Sequence, residues 1–70
     1  MRYREATRKL ARLGCYEDTK WRRGSHRKWI NPHTGRSARL PDWGSDDLRI
    51  GTLRSVIRQL GLDWREFNEA

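Results

Sequence analysis

Residues 16–40 read YEDTKWRRGSHRKWINPHTGRSARL, and this stretch decides the fold. No helical period runs through it. Two turn signals, Arg23-Gly24 and Asn31-Pro32-His33-Thr34-Gly35, divide it into strand-length pieces: Tyr16–Arg22, His26–Ile30 and Ser37–Leu40. Turns this short join antiparallel neighbours, so a three-stranded meander is expected. Successive side chains on a strand point to opposite faces. Ala38 and Leu40 therefore share one face, and Ser37 and Arg39 the other. Trp29 lies opposite His26, Lys28 and Ile30, which predicts a sheet with a core face and a wetter, more basic one.

Helices flank this meander. Tyr3, Ala6, Leu10 and Leu13 fall at helical spacing ahead of it, and Gly14 is placed to end that helix. Beyond it, Pro41 to Gly51 reads as a loop with Asp42, Asp46 and Asp47, long enough to carry function. Leu53, Val56, Ile57 and Leu60 then form an i, i+3, i+4, i+7 stripe that Gly61 terminates. Asp63 with Glu66 resembles a capping box opening a last short helix, with Trp64 and Phe67 free to dock. The expected fold class is α+β: a three-stranded antiparallel sheet with two helices on one face, in the order α-β-β-β-α, plus a short C-terminal helix. That arrangement is similar to double-stranded-RNA-binding domains, an analogy of fold that does not dictate function.

Seventy residues make one domain, 1–70, with a modest core. Hydrophobic residues are 34% of the chain, yet four Trp, two Tyr and one Phe supply large buriable area. One filled core layer is feasible and a deep enclosed cavity is not, so any chemistry belongs on a face or a shallow groove. Sixteen Lys and Arg against nine Asp and Glu leave a net charge of +7. Such a charge calls for a polyanionic partner. Lysine occurs only at positions 9, 20 and 28; the remaining cations are arginines, whose planar forks suit phosphate and bases. A merely solvated basic surface is the plainer alternative. Cys15 stands alone, which excludes an intrachain disulfide and a cysteine zinc site and fits a reducing compartment. No apolar run approaches the ~20 residues of a membrane span, and the arginine-rich start lacks a signal peptide's apolar stretch. A soluble cytoplasmic protein is expected, without a membrane partner.

Two histidines are available. His33 sits in the Asn31–Gly35 turn, where a solvated polar residue is ordinary. His26 follows Gly24-Ser25 at a hairpin mouth beside Arg23, Arg27 and Lys28. A neutral imidazole there can take a proton while the cations hold a phosphate and oppose its developing charge. RNA brings its own nucleophile, the ribose 2′-hydroxyl, so a positioned base and electrostatic stabilisation can suffice. A simple phosphate contact is the alternative role for His26. The histidines with Asp42, Asp46 or Asp47 match no zinc spacing, and the acidic trio reads as a solvated loop or a complement to the next helix's N-terminus; no metal or cofactor is expected. Ser25 adjoins His26 but points to the other face, which disfavours a Ser–His pair. Trp29 and Trp64 read as core. Trp21, among Lys20, Arg22 and Arg23, and Trp43, in the loop, are candidates for stacking on bases, with packing the ordinary alternative.

From Gly24-Ser25-His26 and Trp29, through Asn31-Pro32, Gly35-Arg36 and Leu40-Pro41, to Ile50-Gly51-Thr52-Leu53-Arg54-Ser55 and Leu60-Gly61-Leu62, and on to Glu66-Phe67, the chain resembles the HicA toxins of bacterial toxin–antitoxin systems. The resemblance spans about residues 3–67. It implies an mRNA-cleaving endoribonuclease (an mRNA interferase) with His26 as catalytic residue and a HicB-type antitoxin that masks the site. On that reading Arg23, Gly24, Ser25, Arg27 and Lys28 meet the RNA. Two positions depart from the pattern of many relatives: Arg27 follows the motif histidine where they carry a second histidine or an apolar residue, and Trp43 occupies the place of another histidine. The alternative reading is a non-catalytic RNA-binding module on the same scaffold.

Overall fold

The computed structural model describes residues 1–70. Helix α1 (Tyr3–Arg12) leads into strands β1 (Tyr16–Arg23), β2 (His26–Asn31) and β3 (Arg36–Pro41), followed by α2 (Ile50–Gln59) and α3 (Trp64–Glu69). The sheet is antiparallel in the order β1-β2-β3. The expected class and element order are therefore the observed ones. Boundaries moved outward: Arg23 and Pro41 are paired strand residues rather than turn and loop, which shortens the first turn to Gly24-Ser25 and the loop to 42–49.

Both longer helices pack on the face bearing Trp29, Ala38 and Leu40. Ala6 and Leu10 from α1, Leu53, Val56 and Ile57 from α2, then Leu60 and Phe67, close one core with Cys15 and Leu48. Trp29 ties sheet to helix through its indole N–H, which donates to the Tyr3 hydroxyl at 3.2 Å. Cys15 behaves as a small hydrophobe, 4% exposed, and burial pushes its thiol pKa up. Asp63 stands at the N-cap of α3, but its carboxylate makes no capping hydrogen bond, so the expected box is absent; Phe67 anchors that short helix instead.

The two helix ends meet over one turn. Each closes in a Schellman pattern: Gly14 N–H to Ala11 O and Cys15 N–H to Leu10 O, then Gly61 N–H to Arg58 O and Leu62 N–H to Ile57 O. The turn 32–35 is wedged between them, and a Cβ on Gly14 or Gly61 would sit 2.9 Å from His33 Nε2 or Thr34 Cγ2 respectively. Buried Asn31 holds the wedge, donating from Nδ2 to Leu60 O at 2.8 Å and accepting from His33 N–H at 3.0 Å.

Candidate functional site

At the opposite end of β2, the β1–β2 hairpin presents His26. Arg23 pairs with His26 across a two-residue turn. Gly24 has φ +57° while Ser25 does not enter positive φ, the pattern of a type II′ turn that fits the twist of a hairpin. Three contacts pin the turn. Arg27 donates from Nη1 to Gly24 O at 2.8 Å and to His26 O at 3.2 Å, and Asp42 N–H donates to Ser25 O at 2.7 Å. His26 also pairs with Pro41 of β3, and its side chain is exposed. The backbone beneath the imidazole is fixed while the ring faces solvent.

The face carrying His26 is the one turned away from the helices. Lys28 and Ile30 share it by strand parity, and β3 sets Arg39 opposite Lys28 and Ser37 opposite Ile30. On the other side β1 sets Asp18 opposite Lys28, its Oδ1 accepting the Lys20 N–H at 3.2 Å. Between Lys28 and Arg27 the β2 strand takes one step while β1 passes from Asp18 to Arg22. This bulge carries Trp21 onto the open face, where the Arg39 guanidinium lies 5.1 Å and that of Arg23 5.7 Å from the ring centre. A cleft of about 450 Å³ lies beside Trp21, lined by Lys28, Ser37 and Arg39 of the open face and by Ala38 and the α2 residue Gln59 from the helix side.

Of the residues singled out from the sequence, Arg23, Gly24, Ser25 and His26 gather at the hairpin tip and Lys28 stands farther along the same face. Arg27 does not join them: it shares the side of Trp29, with its guanidinium on the turn carbonyls. Arg39 is a further cation that register brings to this face, beside Lys28. Its parity opposite buried Ala38 and Leu40 was readable, but its register against Lys28 was not. Trp43, 39% exposed, follows Asp42, whose bond to Ser25 brings this loop beside the hairpin. His33 lies at the far end of the sheet against Gly14, so the two histidines do not converge. No group of three or more His, Cys, Asp or Glu is placed to hold a metal ion.

Behind the hairpin, on the core side, Tyr3 stands among charges. Its pKa is raised, first by burial; Glu17 and Asp42 push it further up, while the Trp29 hydrogen bond and Arg27 oppose. Glu17 in turn pairs with Arg22, Oε2 to Nε at 3.3 Å, without hydrogen-bond alignment.

The family model described as the HicA toxin of bacterial toxin–antitoxin matches residues 3–62. The chain belongs to the HicA toxin family. The match covers every element from α1 through α2 and the Gly61-Leu62 that follows, so hairpin, open face and core all lie inside it. Membership supports a toxin role for this HicA chain and implies an antitoxin as its partner in general terms. No curated protein and no solved structure matches the HicA chain significantly. None of its helices is long and apolar enough to cross a membrane.

Proposed function

We propose that this toxin is a cytoplasmic endoribonuclease, an mRNA interferase, in which His26 is the catalytic residue and which a HicB-type antitoxin neutralises. The observation that carries the reading is an exposed imidazole on a pinned turn, with Arg23 as its cross-strand partner and Lys28 and Arg39 farther along the same open face. A ribose–phosphate backbone laid on that face meets a proton-transfer group and cations together.

In the proposed step the ribose 2′-oxygen attacks the adjacent phosphorus and the bond from phosphorus to the 5′-oxygen breaks. The 2′-hydroxyl loses its proton and the departing 5′-oxygen gains one. The products carry a 2′,3′-cyclic phosphate and a 5′-hydroxyl. His26 serves as base toward the 2′-hydroxyl or as acid toward the leaving oxygen. Arg23 holds the phosphate as its charge builds in the phosphorane, and Lys28 meets the backbone farther along the same face. Gly24 and Ser25 present little bulk, which lets the strand approach the turn backbone. Arg27 adds positive charge from behind while its guanidinium keeps the turn in shape. RNA supplies the nucleophile, so the step calls on no metal.

Incubating purified toxin with mRNA, with and without chelator, beside the His26→Ala variant tests this. Cleavage that survives chelator and disappears in His26→Ala, with RNA affinity and fold retained, is the expected result. Wild-type protein that binds RNA and leaves it intact would instead make the domain a non-catalytic binding module.

A further inference from the structure

Four tryptophans sit in a small protein, and they are held very differently. Trp29 is in the core, and Trp64 packs on it, 5.7 Å from Phe67 with the Arg54 guanidinium 4.8 Å from its ring. Trp21 has guanidinium neighbours too, but no aromatic ring or core packing supports it. It belongs neither to the core nor to the partly buried side chains packed against it, and its cationic neighbours are Arg23 and Arg39. A half-buried indole on the solvent face of a sheet, brought there by a bulge, adds nothing to the core that would explain it. Bulges recur where a strand re-aims a side chain next to a functional site.

We propose that the cleft beside Trp21 is a nucleotide subsite, which takes one base of single-stranded RNA stacked on the Trp21 indole and the Arg39 guanidinium, with Lys28 on the neighbouring phosphate. This deepens the nuclease reading and rests on it for placing RNA on the open face. The cleft's size, about 450 Å³, falls within the range of small-ligand sites. Its lining contains two cations and no carboxylate, and adds the Ser37 hydroxyl and the amide of Gln59, whose Nε2 donates to Ser55 Oγ at 2.9 Å. Asp18, the nearest acid by register, has Oδ1 engaged by the Lys20 amide. Every base has a π-face, so stacking on Trp and Arg tolerates any sequence and adds grip without requiring a readout.

Position matters as much as chemistry. His26 and Lys28 are two residues apart on one face of β2, about 7 Å along the strand. A base in the cleft therefore belongs to a nucleotide near the scissile phosphate. Clamping that base would fix the backbone relative to the imidazole, converting loose electrostatic attraction into alignment.

The test is binding of a 2′-O-methyl oligoribonucleotide, which cannot undergo the 2′-hydroxyl reaction, in intact form and with single abasic sites stepped along it. One abasic position should weaken binding to the wild-type protein about five- to a hundred-fold. Trp21→Ala should weaken binding of the intact strand to the same degree, become indifferent to that abasic position, and keep the salt slope, since no charge is lost. Trp21→Phe should recover most of the affinity. If no abasic site weakens wild-type binding, or if Trp21→Ala binds like wild type, the subsite is overturned; the abasic series on the wild-type protein decides even if Trp21→Ala fails to fold. Cleavage that persists without any Trp21 or abasic effect sinks the subsite and leaves the nuclease reading standing. Base-dependent binding at Trp21 without cleavage does the reverse.

Discussion

An imidazole at a strand end is only as well aimed as the backbone beneath it. His26 is aimed by Gly24, whose φ of +57° a side chain resists. Gly24→Ala should cost about 1–2 kcal/mol, lower the midpoint of thermal unfolding by several degrees, and reduce cleavage by more than the folded fraction explains. Removing the Arg27 guanidinium frees the Gly24 and His26 carbonyls, so Arg27→Ala should slow cleavage chiefly through kcat, while a pure phosphate ligand would act chiefly on KM. Tyr3 gives a pH signature. Its folded pKa is raised, so the folded state holds the phenolic proton more tightly than the unfolded chain does. The stability this contributes is complete below the ordinary tyrosine value near 10 and is lost as pH climbs through the raised one. Urea unfolding between about pH 9 and 11 should show wild type weakening more steeply than Tyr3→Phe. Equal slopes would mean that burial of Tyr3 is not felt.

At the scale of elements, the sequence announced strands, turns and faces where periodicity and turn chemistry are local. Ala38 and Leu40 went to the core and Arg39 to solvent because a strand's alternation needs no tertiary information. The bulge in β1 was invisible for the opposite reason. Simple alternation from Tyr16 would put Trp21 on the side of Glu17, facing the helices; β1's detour between Asp18 and Arg22 reverses that, and no glycine in 19–21 marks the spot. Arg27 adjoins His26 in sequence, and strand parity puts it on the other side of the sheet, so sequence proximity alone does not bring the two side chains together. Asn31 was legible as a turn residue, but its bond to Leu60 O joins β2 to the end of α2 and belongs to the tertiary structure. Asn31→Ala should therefore cost about 1–3 kcal/mol, by leaving the His33 N–H without its partner and Leu60 O with the Thr34 hydroxyl alone. Denaturant titration measures that loss, and cleavage per folded molecule should be unchanged, because Asn31 lies at the far end of β2 from His26.

For the whole molecule, the charge read at the outset has a location. One sheet face is covered by helices, and Arg23, Lys28 and Arg39 share the other with His26 and the single acid Asp18, so part of the chain's positive charge stands where a strand of RNA can lie. Single-stranded binding should weaken with salt at a log–log slope of about −0.7 per phosphate contacted, and Lys28→Ala should make that slope shallower by about one contact. Composition calls for a polyanionic partner but does not say which face would meet it, since that depends on where the two helices pack. In the proposed reaction His26 drives transfer of phosphorus from the 5′-oxygen to a neighbouring 2′-oxygen. The most direct measurement uses an RNA carrying one 2′-deoxynucleotide immediately 5′ of a mapped cleavage site, with the ends of all products identified. No scission is expected at the deoxy position, with 2′,3′-cyclic phosphate ends wherever cutting continues; scission at the deoxy position that leaves an ordinary 3′-hydroxyl would contradict a role for the 2′-oxygen as nucleophile.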